Sequence, residues 1–235
     1  MKARSNFSPL LLLLATLPVV GGCLFGTPTK PPIEQPPEPY LPYYDADSQT
    51  AMDNLVANFQ LAWEKMDLAE YRDSILYDGT VPATDGQLYA PFVFYYDRST
   101  SDPNIPDDDD VYDREIQRAE NMFGGLPGQD AEGKIYPGIK EIAFQLTANE
   151  QWANPLDPSQ VEGDEYPTGT KQRPFETHLF ITLKSAIQGS NNITAWDVQD
   201  RLILYIIPVQ IENEDVPGTY HTVYRIWKWR DVITI

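Results

Sequence analysis

An α+β fold is what this chain's sequence predicts. Apolar residues recur at helical spacing early in the chain, and alternating apolar runs dominate its second half. Helices that precede a block of strands segregate onto one side of a sheet, rather than alternating with its strands as in an α/β fold.

The first element is addressed to export. Lys2 and Arg4 precede an apolar run, residues 9–20, too short to span a bilayer, and the run ends in Val20-Gly21-Gly22-Cys23. A basic head, an apolar core and small residues before a cleavage point describe a signal peptide over residues 1–22. Cys23 is the only cysteine. Its position resembles the lipobox of bacterial lipoproteins, in which the thiol and the new N-terminus are both acylated. An ordinary signal peptide with a chance cysteine is the competing reading. Several acyl chains on one residue give durable anchoring, where a single chain does not. Leu24, rather than Asp, follows the cysteine, and in enteric-type bacteria that resemblance favours the outer membrane. The expected location is therefore the cell envelope, facing the periplasm or the cell surface.

Residues 23–44 form the expected stalk, with prolines at 28, 31, 32, 36, 37, 39 and 42. Proline fixes φ and removes a donor, so the segment favours an extended, semi-rigid spacer. Recognition by a proline-binding partner is the alternative. Residues 45–235 are long enough for one domain with a substantial core.

Within that domain, Asp47 and Ser48 stand where a helix cap belongs. Met52, Leu55, Val56, Phe59, Ala62, Trp63 and Met66 then make one apolar stripe. Asp67 and Glu70 are spaced as a capping box for a second, short helix, with Leu68, Tyr71, Ile75 and Leu76 as its buried residues. A third helix is expected over 111–123, stopped by Gly124-Gly125, with Asp107 to Asp110 at its positive end. Strands are expected at 92–96, 139–147, 177–184, 201–211 and 220–229, with Pro217-Gly218 turning the last pair. Several carry bulky apolar residues on both faces, which demands cover on one side and a cavity or a second copy on the other.

Charge excludes one class of partner. The chain carries a net charge of -18, and removal of Lys2 and Arg4 with the signal leaves 15 basic and 35 acidic residues. A surface this acidic repels phosphate backbones, so no nucleic acid is expected. The membrane is reached through the lipid, not through a basic patch.

Residues 54–76 resemble the opening of nuclear transport factor 2-like domains: a long helix, an acidic residue and a leucine (Asp67, Leu68), then a short helix with a tyrosine (Tyr71). Phe92-Val93-Phe94, the 120–123 stretch and the closing 224–231 stretch resemble a bacterial lipoprotein branch of the same superfamily. The resemblance implies helices packed on a strongly curved antiparallel sheet, a cone with a pocket at one end. It also implies a choice among isomerases, dehydratases, small-molecule binders and dimerising modules, because fold alone does not set function. The loops 98–110 and 150–174 are long for such a domain and are expected to reshape the pocket mouth.

Candidate pocket residues are Trp63, Tyr71, Tyr95, Asp97 and His178. Aromatic side chains suit an apolar ligand, and a buried tyrosine hydroxyl needs a partner. Asp97 and His178 are the candidate bases of an enzyme, with His221 a weaker one. Isomerases of the resembling superfamily place a tyrosine on the first helix, where this chain has Phe59 and Trp63. Asp102, Asp107 to Asp110 and Asp113 offer oxygen ligands, but lack the spacing and turn glycine of an EF-hand loop, so a solvated acidic loop is expected. There is no zinc motif, phosphate-cradling loop or nucleophile elbow, and no cofactor is expected. The reading is a non-enzymatic envelope lipoprotein that binds a small apolar ligand or a protein partner, with an enzyme of the same fold as alternative and a homodimer through the open sheet face compatible with both.

Overall fold

A computed structural model describes residues 38–96, 108–129, 133–155, 166–187, 189, 192–213 and 215–232. Cys23, the signal, most of the stalk and Asp97 lie outside the described residues, as do Asp102, Asp107 and the loop segments 98–107 and 156–165. The compact unit runs Pro39–Ile235, so residues 39–44 belong with the domain rather than with the stalk. No helix among the described residues is long and apolar enough to cross a membrane.

Helix α1 is Ser48–Lys65. Asp47 caps it by accepting from the Gln49 amide at 3.1 Å. Its stripe is buried as expected, from Ala51 to Trp63, and Met66 ends it in the left-handed region. Helix α2 is a single turn, Leu68–Glu70, which continues as a π-turn over Tyr71–Ile75. Asp67 accepts from the Glu70 amide at 3.1 Å, one half of the capping box. The reciprocal half is missing, because the Asp67 amide donates to the Ala62 carbonyl at 2.8 Å, and the Glu70 carboxylate accepts from Tyr43.

The strands are β1 (Val93–Tyr95), β2 (Asp110–Val111), β3 (Gly128–Gln129), β4 (Ile135–Tyr136), β5 (Ile139–Thr147), β6 (Lys171–Leu183), β7 (Ala195–Glu212) and β8 (Tyr220–Asp231). Helix α3, Tyr112–Phe123, follows β2. The main sheet has the order β2-β1-β8-β7-β6-β5, and β3 pairs with β4 in a separate ribbon. All pairs are antiparallel except β1 with β8, so the sheet is mixed where a fully antiparallel one was expected. The parallel pair arises because the chain runs from β1 through β2, α3 and the strands β3 to β7 before returning beside it as β8. Strands β6 and β7 extend six residues further N-terminally than the apolar alternation indicates, through the mixed polar and apolar positions 171–176 and 195–200, which pair along the β6–β7 ladder.

The sheet wraps around α1. Strands β5 and β8 are three spacings apart, about 14 Å on a flat sheet. Yet the Phe59 ring lies 5.2 Å from Phe144 on β5 and 5.5 Å from Trp229 on β8. α1 also protects the sheet edge: Gln60 Oε1 accepts the Leu146 amide at 2.6 Å, and Glu64 Oε1 faces the Phe144 amide at 3.5 Å.

The main core lies between the helices and the inner sheet face, and holds Leu55, Phe59, Phe144, Leu202, Leu204 and Ile226. A second cluster lies on the other face of β7 and β8: Tyr77, Ile207, Val209, Val223 and Trp227. Residues 76–92 cover it. Ala83 bridges Val209, the Thr84 amide donates to the Pro208 carbonyl, and the Tyr77 amide donates to Ile226. The apolar outer residues of β7 and β8 are thus covered from within the chain.

Candidate functional site: a cavity with a buried carboxyl

Four elements converge on one cavity. α1 supplies Trp63, β1 and β8 supply Phe94 and Trp229, and α3 supplies Glu115, Arg118 and Met122, around a volume of about 130 Å³. An apolar cavity of about 150 Å³ accommodates benzene, so a single ring is the scale of the site. Its lining is apolar except where α3 passes.

Glu115 is 7% exposed. It lies in the buried stripe Glu115, Ala119, Phe123, at four-residue spacing on the inner face of α3. The Tyr71 hydroxyl donates to its Oε1 at 2.7 Å. Burial pushes the Glu115 carboxyl up to about 7, and the Asp110 charge adds to this; the Tyr71 hydrogen bond and Arg118 pull it back. Tyr71 is fully buried, and that burial, with the Glu115 charge and hydrogen bond, raises its own ionisation well above the ordinary value. Rings enclose it: Phe59 stacks at 5.9 Å, and Trp63 and Phe123 approach at 6.0 and 5.9 Å. The Trp63 indole acts on the Tyr71 oxygen but falls outside hydrogen-bonding geometry, so its Nε1 stays buried without a partner, as does Trp229 Nε1.

Beside Glu115, a charged network closes the cavity wall. Asp110 is fully buried and pairs with Arg118, with Arg114 3.6 Å away. The Tyr96 hydroxyl donates to Asp110 Oδ2 at 2.5 Å and accepts from Arg118 at 2.6 Å. Burial, with the Asp110 hydrogen bond, pushes Tyr96 up to about 12. Asp110 is therefore neither a solvated carboxylate nor a helix cap. α3 begins after Val111 with no side-chain cap, because the carboxylate turns inward to the arginines. Among the described residues, no group of three or more metal-ligating side chains gathers.

The expected site residues divide by strand parity. Trp63 lines the cavity and Tyr71 supports it through Glu115. Tyr95 does not join them. Alternation puts Phe94 and Tyr96 on the inner face, their rings 4.5 Å apart, and sends Tyr95 to the other face beneath Lys228 at 5.3 Å. Lys228 is itself buried and stands 4.1 Å over the Trp227 ring. His178 is also away from the cavity: it alternates with the inward Thr177 and Leu179, is half exposed, and meets Asp197 at 2.8 Å on the outer face. His221 packs against the Tyr44 ring at 4.0 Å, tilted by 33°, near the tip of the β7–β8 pair. Glu115, Arg118, Asp110 and Tyr96 are the residues that sequence reading missed. The stripe of Glu115 with Ala119 and Phe123 was the available signal, since it puts a carboxyl at a core position of the helix.

No family model matches the chain, and no curated protein matches it. Two solved structures align with it. One is a proposed aromatic ring hydroxylase from Novosphingobium aromaticivorans, at 13% identity and a TM-score of 0.42, over 80% of this chain and 89% of that one. The other is a proposed dehydratase of the nuclear transport factor 2-like family from Streptomyces avermitilis, at 12% identity and a TM-score of 0.38, over 80% of this chain and 95% of that one. The cavity's role rests on its own residues.

Proposed function

We propose that this chain is a lipid-anchored cell-envelope protein whose domain binds a small, mainly apolar, ring-sized molecule without transforming it. The cavity between α1, α3 and β8 receives the ring, and Glu115 meets its one polar group. The observation that carries this reading is a carboxyl buried in the wall of an otherwise apolar cavity of about 130 Å³. Burying a carboxyl is costly unless something compensates it. Tyr71 supplies one hydrogen bond, and a ligand hydroxyl or carbonyl at the cavity would supply another. The basic head, apolar run and Cys23 support the anchor.

One observation favours a second reading, in which the domain is an enzyme. A carboxyl titrating near 7 is matched to general acid–base work at neutral pH, and here that group is Glu115 rather than Asp97 or His178.

Native mass spectrometry on the protein purified from its own host tests the binding reading. A reproducible bound small molecule, lost in a Met122→Trp variant that fills the cavity, is the expected result. A clean apo mass, with no uptake of phenol or benzene by calorimetry, would overturn it. Recovery of the molecule chemically altered would favour the enzyme. For the anchor, Cys23→Ser is expected to abolish palmitate labelling and membrane fractionation; continued labelling would contradict the lipobox.

A further inference from the structure

We propose that residues 39–44 are a positioning strap for the cavity: Tyr43 acting through Glu70, and Tyr40 acting through Asp67, set the turn that carries Tyr71 and so the Tyr71–Glu115 hydrogen bond. This rests on the cavity being the functional site.

The strap is tied down along its length. Asn58, fully buried on α1, accepts from the Leu41 amide at 2.7 Å and donates to the Leu41 carbonyl at 2.8 Å. Asn54 donates to the Pro42 carbonyl at 2.9 Å, and Lys65 stands 4.3 Å over the Tyr40 ring. From this base the two tyrosines reach the short helix. Tyr40 donates to Asp67 Oδ2 at 3.0 Å, and Tyr43 donates to Glu70 Oε1 at 2.5 Å. Burial, then the Glu70 hydrogen bond, pushes the Tyr43 ionisation far up, so it remains a donor. Its ring also lies 5.5 Å from the Arg225 guanidinium, whose Nη1 is buried without a partner.

The short helix and the π-turn that continues it, Leu68–Ile75, are too short to hold themselves, because each first turn fixes several dihedrals for a single hydrogen bond. They need tertiary partners, and the strap supplies them at both ends of the helix, Asp67 and Glu70. Tyr71 is the next residue, and it opens a π-turn, a geometry found often at functional sites. Displacement of Glu70 is therefore transmitted directly to the donor that Glu115 uses.

The test is a carbon-NMR titration of the Glu115 carboxyl in the full-length chain. The groups facing Glu115 are Tyr71 from the π-turn, Arg118 on α3 and Asp110 on β2, and the strap variants leave all three in place. Tyr71→Phe is the reference: losing its hydrogen bond raises the midpoint. Tyr43→Phe and Glu70→Ala are expected to raise it as well, by about half a pH unit. Glu70→Gln, which keeps an acceptor for Tyr43, is expected to retain the wild-type midpoint. If Tyr43→Phe and Glu70→Ala lower Tm but leave the midpoint unmoved while Tyr71→Phe shifts it, the strap is structural only and the inference fails with the cavity reading intact. If wild-type Glu115 titrates as an ordinary surface carboxyl, the cavity reading fails and the inference falls with it.

Discussion

The two faces of β7 and β8 are both apolar, yet they are finished differently. On the outer face, residues 76–92 close over Trp227, and the polar atoms of Tyr77 and Trp227 find partners, while Arg225 Nη1, opposite Ile207, is the buried exception. The Tyr77 hydroxyl donates to the Val81 carbonyl at 3.0 Å and accepts the Tyr89 amide, and the Trp227 indole donates to the Ala90 carbonyl at 2.9 Å. On the inner face, Trp63 and Trp229 keep buried indole nitrogens without partners, Glu115 is buried, and a cavity remains. Native proteins satisfy nearly all buried polar groups, and the exceptions gather where function is housed. The outer cluster therefore serves stability, and the inner cavity retains unsatisfied polarity that a ligand can use.

Substitutions matched across the two faces test this contrast. Tyr77→Ala is expected to have the largest effect, a loss of about 3–5 kcal/mol in chemical denaturation from the emptied volume, with the Glu115 titration unchanged. Glu115→Gln probes the other face through pH. A folded-state value of about 7 lies above the ordinary carboxyl value of 4.5. The native state therefore binds the extra proton, and stability from this group is full below about pH 4.5 and is lost as pH rises through 7. That loss amounts to about 3 kcal/mol. Glu115→Gln is expected to match wild type near pH 4.5 and to exceed it at pH 8; a parallel pH profile for the two proteins would break the contrast. Asn58→Ala, which strips both hydrogen bonds from the Leu41 peptide, is expected to cost about 2 kcal/mol in the same assay. The smallest pair is the sharpest. Trp227→Phe is expected to cost about 1 kcal/mol by orphaning the Ala90 carbonyl, while Trp229→Phe, which removes a donor that has no partner, is expected to stay within about 0.5 kcal/mol of wild type.

The parts of this arrangement that were legible in the sequence are the local ones. The α1 stripe, the Asp47 cap, the turn at Asp67 and the alternation of Ile142, Phe144 and Leu146 depend on neighbours a few residues away. Gly125 was legible as a helix stop. It sits at φ 61°, where a Cβ would come within 2.7 Å of the Ile139 carbonyl and 2.4 Å of the Lys184 ammonium. Tyr71 was legible as a buried hydroxyl in need of a partner. The partner was not, because Glu115 lies 44 residues away and meets it only through packing. Asp110 was misread for the same reason: beside three other aspartates it reads as solvated, and only the return of Arg118 on α3 takes it inside. The sequence read Tyr95 as pocket-lining because an aromatic run does not declare its own parity. The pairing of Phe94 with Trp229 fixes the parity in favour of Phe94.

The most direct measurement of the central claim is the carbon-NMR titration of Glu115 in the wild-type chain, with and without phenol. The account predicts a midpoint near 7 that moves when phenol enters the cavity. A midpoint in the ordinary carboxylate range, indifferent to phenol, would contradict it.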